Sequence, residues 1–246
     1  MENIIQNICV IKDRIHKACI KSGRCPHDVK LLLATKTVPA ERILMALRTG
    51  ETLIAENKVQ ELKEKYDTLT AVPHINHFIG HLQSNKIKEV LKYEVSCLQS
   101  LDRLELAEKL HQRLLFEGKT MEVLIQVNTS NEDSKFGVHP DDAITLVREV
   151  AKLGTLKIKG LMTIGLLSAD PEHVKPCFRL LKSIQQRLID LDIPEVEMEE
   201  LSMGMSGDLE IAIEEGATII RVGTAIFGER MYPDSYYWDE SITVNA

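Results

Sequence analysis

A lysine at the end of an apolar run is the first residue in this chain with the means to do chemistry. In LLLATKTVP, residues 31–39, three leucines and an alanine read as buried strand, and Lys36 arrives just before a Thr-Val-Pro turn. Such a lysine either snorkels into water or aims its amine into a pocket, where desolvation makes it a nucleophile toward carbonyl groups. Arg221, inside the apolar stretch TIIRVG, is the second such residue. Strand alternation puts Arg221 and Gly223 on one side, and Ile220 and Val222 on the other. An inward arginine needs an acceptor, either a carboxylate in a structural ion pair or a ligand. Two turns rich in small residues come third. LSMGMSGDLE places Ser202, Gly204, Ser206 and Gly207 at a turn that opens a helix, and RVGTAIFGE places Gly223 and Thr224 at another. Small residues let backbone N–H groups approach an anion, and a helix N-terminus adds unpaired donors. Singly, each turn reads as a helix cap; together on neighbouring strands they form a phosphate cup.

The elements that must position these residues follow from the hydrophobic pattern. Ile4, Ile8, Ile11 and Ile15 recur at helical spacing and predict an N-terminal helix that Ser22-Gly23 ends. Eight strand-like pieces follow: KLLLATK, TLIAE, HINHFIG, EVSCLQS, MEVLIQVN, KIKGLMTIG, EMEELSMG and TIIRVG. Each leads into a helical segment or a short final turn, at intervals of roughly 25–35 residues, the size of a βα unit. Eight units in about 200–250 residues match a (β/α)8 barrel, an α/β TIM barrel with an extra N-terminal helix, better than an open doubly wound sheet. No linker divides the chain, so residues 1–230 are expected to form one domain, with a tail at 231–246. In such a barrel, ligands bind at the C-terminal ends of the strands, and phosphate often sits after strands seven and eight. Lys36, Ser206, Arg221, Gly223 and Thr224 all fall there.

Composition narrows the function classes. The 246 residues are 44% hydrophobic and carry a net charge of -7, which argues against sequence-independent nucleic-acid binding. Five scattered cysteines, without C-x-x-C, imply free thiols in a reducing cytosol. The N-terminus does not read as a signal peptide, and no run approaches the ~18 apolar residues of a membrane span. The expectation is a soluble, cytoplasmic protein, and the lack of a spare apolar stripe favours a monomer.

An amine, a phosphate cup and a fixed arginine coincide in the chemistry of pyridoxal phosphate. Its aldehyde suits the lysine, its phosphate suits the cup, and its ring nitrogen needs an Asp or Arg partner. Arginine does not give up its proton, so it leaves the ring nitrogen unprotonated and the ring a weaker electron sink. A cofactor-free class I aldolase-like barrel, with Lys36 forming its Schiff base on a sugar phosphate, uses the lysine and the cup equally well.

The stretches LLLATKTVP, AENKVQE, HFIGHLQSNK, SKFGV, KGLMTIG and LSMGMSGDLEIAIEEGATIIRVGTAIFG resemble the pyridoxal phosphate homeostasis proteins, relatives of the alanine racemase N-terminal barrel. They span residues 30–230. The resemblance implies that Lys36 holds the cofactor as a Schiff base, that Arg221 faces the pyridine nitrogen, and that Ser206, Gly223 and Thr224 receive the phosphate. It places Asn57 and Met203 near the ring, with Ser202 a further candidate. Two departures are visible: Ala55-Glu56-Asn57 stands where the family commonly has Gly-Glu-Asn, and Ala34-Thr35 precedes Lys36 where Val-Ser or Ala-Ser is frequent. The extra methyl at Ala55 is expected to shift the loop slightly.

Alanine racemases carry a β-rich second domain, and a tyrosine from a partner subunit's copy acts as second acid/base. Only about sixteen residues follow this barrel. Tyr232, Tyr236, Tyr237 and Trp238 in that tail read as aromatic anchors. A racemase needs a base on each face of the substrate carbon, and Lys36 supplies one. The expected function is therefore a carrier that buffers or delivers pyridoxal phosphate to apo-enzymes, with a low-activity amino-acid racemase as the alternative. His74 and His77 differ by three residues and point to opposite faces of a strand. With His81 beyond Gly80, no metal site is expected. Asp133 and Lys135 lie in a charged loop that reads as solvated, although Lys135 and Gly137 belong to the family's signature.

Overall fold

The computed structural model describes residues 4–132, 134–166, 168 and 170–229. The tail with Tyr232, Tyr236, Tyr237 and Trp238, and Asp133, lie outside the described residues. Helix α1 (Ile4–Lys21) uses the expected stripe: Ile4, Ile8, Ile11 and Ile15 are all buried. Ser22 Oγ then donates to Ala18 O at 2.7 Å, and Gly23 turns the chain at φ 66°. The eight strand-like pieces become β1 (Lys30–Ala34), β2 (Leu53–Glu56), β3 (Ile75–Phe78), β4 (Val95–Leu101), β5 (Met121–Gln126), β6 (Leu156–Met162), β7 (Val196–Ser202) and β8 (Ile219–Val222). They pair in parallel, in sequence order, as a closed barrel, with β1 bonded to both β2 and β8.

Between the strands run α2 (Ala40–Leu47), α3 (Val59–Leu69), α4 (Ile87–Lys92), α5 (Leu104–Glu117), α6 (Ala143–Ala151), α7 (Lys175–Asp190) and α8 (Leu209–Glu214), and α9 (Thr224–Phe227) follows β8. Helix α1 covers the seam where the barrel closes. Asn7 Nδ2 donates to Ile226 O at 3.0 Å, and Arg14 makes a two-pronged ion pair with Glu210 at 2.7 and 2.8 Å.

Side-chain alternation sorts the strands into two apolar cores. Leu33, Ile54, Leu98, Leu201, Ile220 and Val222 face the helices. Leu32, Ala55, Cys97, Leu124, Met162 and Ile219 form a separate cluster inside the barrel. The inner cluster is a floor. Two residues further along β4 and β8, Gln99 and Arg221 stand on it, and Ser202 of β7 is hydrogen-bonded to both; all three are buried.

Candidate functional site

Lys36 sits two residues past the inward Ala34, half-buried at the C-terminal end of β1. The peptide groups on either side of it are held. Thr35 N–H donates to Ala55 O at 2.9 Å, and Thr35 Oγ1 donates to Ala55 O at 3.0 Å and Glu56 Oε1 at 2.6 Å. Thr35 O accepts from Lys65 Nζ at 2.9 Å, and Thr37 N–H donates to both carboxylate oxygens of Glu61 at 3.0 and 2.8 Å. Lys65 Nζ also bonds Glu56 Oε1 at 2.8 Å and pairs with Glu61. Burial pushes the Glu56 carboxyl up to about 7, against the pull of Lys65. The two carboxylates hold Lys65 protonated despite its own burial. Glu56 Oε2 has no hydrogen-bond partner among the described residues. The sequence reading missed this network because α3 reads as a solvated polar helix. Its available signal was the Glu61–Lys65 spacing beside a glutamate at a buried strand end.

Arg221 points inward, as alternation requires, and is 5% exposed. Its acceptors are neutral. Nη1 donates to Ser202 Oγ at 2.9 Å and Nη2 to Thr163 O at 2.8 Å, and no carboxylate among the described residues is in ion-pair contact with it. Three of its five N–H groups therefore have no acceptor among the described residues. Burial lowers its pKa to about 10, while Asp208 acts in the opposite sense, so it remains a cation at neutral pH. Behind it runs a hydrogen-bonded chain. Ser202 Oγ donates to Gln99 Oε1 at 2.6 Å, and Gln99 Nε2 lies 2.7 Å from His77 Nδ1. Desolvation lowers the His77 pKa to about 4, so its neutral ring accepts at Nδ1.

The two turns meet as neighbours after β7 and β8. Met203 N–H donates to Ile219 O and Arg221 N–H to Gly204 O, at 3.2 and 3.1 Å. No intramolecular acceptor takes the backbone N–H groups of Ser206, Gly207, Gly223 or Thr224 among the described residues. Asp208 Oδ1 accepts from Met205 N–H at 2.5 Å and shapes the first turn. A Cβ at Gly223 would stand 3.0 Å from Ala34 O, so the second turn packs on the strand that ends at Lys36. The strand end that carries Lys36, the Arg221 guanidinium and a set of N–H donors thus share the C-terminal mouth. This donor set fits a phosphorylated aldehyde with a ring nitrogen: four unspent N–H groups suit the phosphate, and the spare guanidinium donors suit the nitrogen.

The remaining predicted residues divide. Asn57 follows β2 directly, is buried, and is wedged by Gly80, where any Cβ would fall 1.9 Å from Asn57 O. Ser202 is in the site as Arg221's acceptor. The Met203 side chain is not: Ser202 faces inward, so Met203 joins the fully buried cluster against the helices. The Ala55 methyl packs into the inner floor. His74 bonds Val72 O at 2.7 Å and lies 3.1 Å from Asn76 Nδ2, apart from His77's partner Gln99. His81 accepts from Arg103 Nη1 at 2.8 Å and stacks on Phe136 with centroids 4.0 Å apart. Lys135 is not merely solvated: it donates to Gly165 O at 2.9 Å, tying the loop after β5 to that after β6.

The family described as "Alanine racemase, N-terminal domain" matches residues 5–231. A pyridoxal phosphate homeostasis protein of Aquifex aeolicus is 41% identical, over 94% of this chain and all of its own length. One from Pasteurella multocida is 38% identical, over 93% of this chain and 98% of its own. The solved structure of PipY from Synechococcus elongatus with PLP bound superposes with a TM-score of 0.80 at 30% identity, covering 92% of this chain and 100% of PipY. The chain belongs to the alanine racemase N-terminal domain family, in its pyridoxal phosphate homeostasis branch.

Proposed function

We propose that this chain binds pyridoxal 5'-phosphate through a Schiff base on Lys36 and acts in cofactor homeostasis as a carrier. The observation that carries the reading is the shared mouth of Lys36, the spare donors of Arg221 and the four unspent N–H groups of two neighbouring turns. When bound, the cofactor supplies an aldehyde that condenses with an amine and releases water. Lys36 provides the amine, Ser206, Gly223 and Thr224 receive the phosphate together with Gly207, and Asn57 lies beside the ring. Arg221 stays charged at neutral pH and donates to the ring nitrogen, which keeps that nitrogen without a proton. An unprotonated ring withdraws electrons poorly, which favours holding the aldehyde over turning over an amino acid. The names of the relatives support the same role.

Free pyridoxal phosphate reacts with exposed amines, and a reversible bond in a sheltered mouth limits that damage. The reading places the protein in the cytoplasm, as a monomer, handing cofactor to apo-enzymes, with no part for nucleic acid. Among the described residues no helix is long and apolar enough to cross a membrane.

Titration of the apo-protein with pyridoxal phosphate, followed by visible absorbance, tests the reading. A saturable red shift of the cofactor's own band in the wild type, absent in Lys36→Ala, is expected. The same red shift in Lys36→Ala defeats it. Incorporation of solvent deuterium at the α-carbon of an amino acid, lost in Lys36→Ala, would move the assignment to a racemase.

A further inference from the structure

We propose that Glu61, Lys65 and Glu56 are positioning residues for Lys36, clamping the two peptide groups that flank it. The inference deepens the function proposed above, and rests on it only for the group that Lys36 meets. One flanking carbonyl, Thr35 O, is held by an ammonium, Lys65 Nζ at 2.9 Å. The N–H on the other side, of Thr37, is held by both oxygens of a carboxylate, Glu61, at 3.0 and 2.8 Å. Glu56 completes the clamp by accepting from Thr35 Oγ1 at 2.6 Å and from Lys65 at 2.8 Å.

Three features favour positioning over general stability. Thr37 adopts φ 64°, a left-handed backbone that β-branched residues disfavour and keep only when neighbours impose it. The charged groups are costly to bury: Glu56 is 2% exposed, Lys65 is 7% exposed, and one oxygen of Glu56 lacks a partner among the described residues. Apolar side chains of similar volume stabilise such a site as well or better. Finally, the bonds fall on both sides of a single residue. A lysine side chain is long and flexible, so the arc its Nζ sweeps depends on how firmly its Cα is held. Loss of that hold slows addition of the amine to a carbonyl placed by other contacts.

The test compares wild type, Glu61→Ala and Glu61→Gln. Glu61 is partly exposed, so Ala is tolerable; Gln keeps an acceptor for Thr37 and serves if the Ala variant does not fold. Without cofactor, amide exchange at Thr37 and backbone order of residues 35–37 are measured by NMR. With pyridoxal phosphate, the rate at which colour develops is followed by stopped flow, and the labelled residue is mapped after reduction. Glu61→Ala should raise Thr37 exchange by about ten- to a hundredfold, as loss of a charge-assisted hydrogen bond requires. It should slow adduct formation about tenfold with the label still on Lys36, and Glu61→Gln should recover most of both. Unchanged exchange and order in Glu61→Ala refute the clamp whether or not the cofactor binds. Raised exchange with an unchanged rate at Lys36 refutes positioning. A wild-type protein that takes no label at Lys36 overturns the proposed function instead, and the cofactor-free measurements then decide the clamp alone.

Discussion

Glu56→Gln should leave stability unchanged at acid pH and raise it at alkaline pH. The folded-state pKa of Glu56 is raised from 4.5 to about 7, chiefly by burial. A carboxyl raised in this way favours the fold fully below its unfolded pKa. That contribution is lost as pH climbs through the folded value, because the buried group must then ionise. Lys65 and Glu61 set the balance: two carboxylates share one ammonium, and the more buried carboxylate takes the extra proton. At about 1.4 kcal/mol per unit, the shift corresponds to at most about 3.5 kcal/mol between pH 4.5 and pH 7. Glutamine mimics the protonated acid, placing its oxygen where Oε1 accepts from Thr35 and Lys65 and its NH2 at the Oε2 position, which has no partner among the described residues. Urea denaturation of both proteins from pH 5 to pH 8 isolates the effect, since other titrating groups cancel in the difference. The two curves should lie closest near pH 5 and separate further in favour of Glu56→Gln toward pH 8. A difference that does not vary with pH, or a variant less stable at pH 8, would refute the titration of Glu56.

Two further variants probe the scaffold. Ser202→Ala removes the acceptor of Arg221 Nη1 and the donor to Gln99 Oε1. It should cost about 2–4 kcal/mol in urea melts, one bond to a charged group and one between neutral groups, and shift the visible band of the cofactor-loaded protein; an unshifted band would separate Ser202 from the orientation of Arg221. Ile8→Ala opens a hole under α1 at a residue 2% exposed; a loss of about 2–5 kcal/mol is expected, and a loss below about 1 kcal/mol would mean that α1 is not integral to the barrel.

Much of the barrel was legible because each strand is a short apolar run separated from the next by one amphipathic helix. Period-two alternation was equally legible in β8, where it separates Ile219 and Arg221 from Ile220 and Val222. The same parity rule, applied to β7, would have turned Met203 away from the mouth once Ser202 was placed inward. The clamp around Lys36 was harder to see. It joins residues 35–37 to residues 56, 61 and 65, and the Glu61–Lys65 spacing that signals it looks the same as a solvated ion pair on a polar helix. Arg221's acceptors were hidden for a similar reason: Thr163 O is a backbone atom, and Ser202 read as part of the turn after β7 and not as a partner of Arg221.

The identity of the amine that holds the cofactor is the central claim, and it has a direct measurement. The wild-type protein is loaded with pyridoxal phosphate, reduced with borohydride, digested, and mapped by mass spectrometry. A pyridoxyl group on Lys36, in the peptide that spans the end of β1, is the expected result. A label confined to another lysine such as Lys135 or Lys65, or no label at all, would contradict Lys36 as the residue that holds the aldehyde.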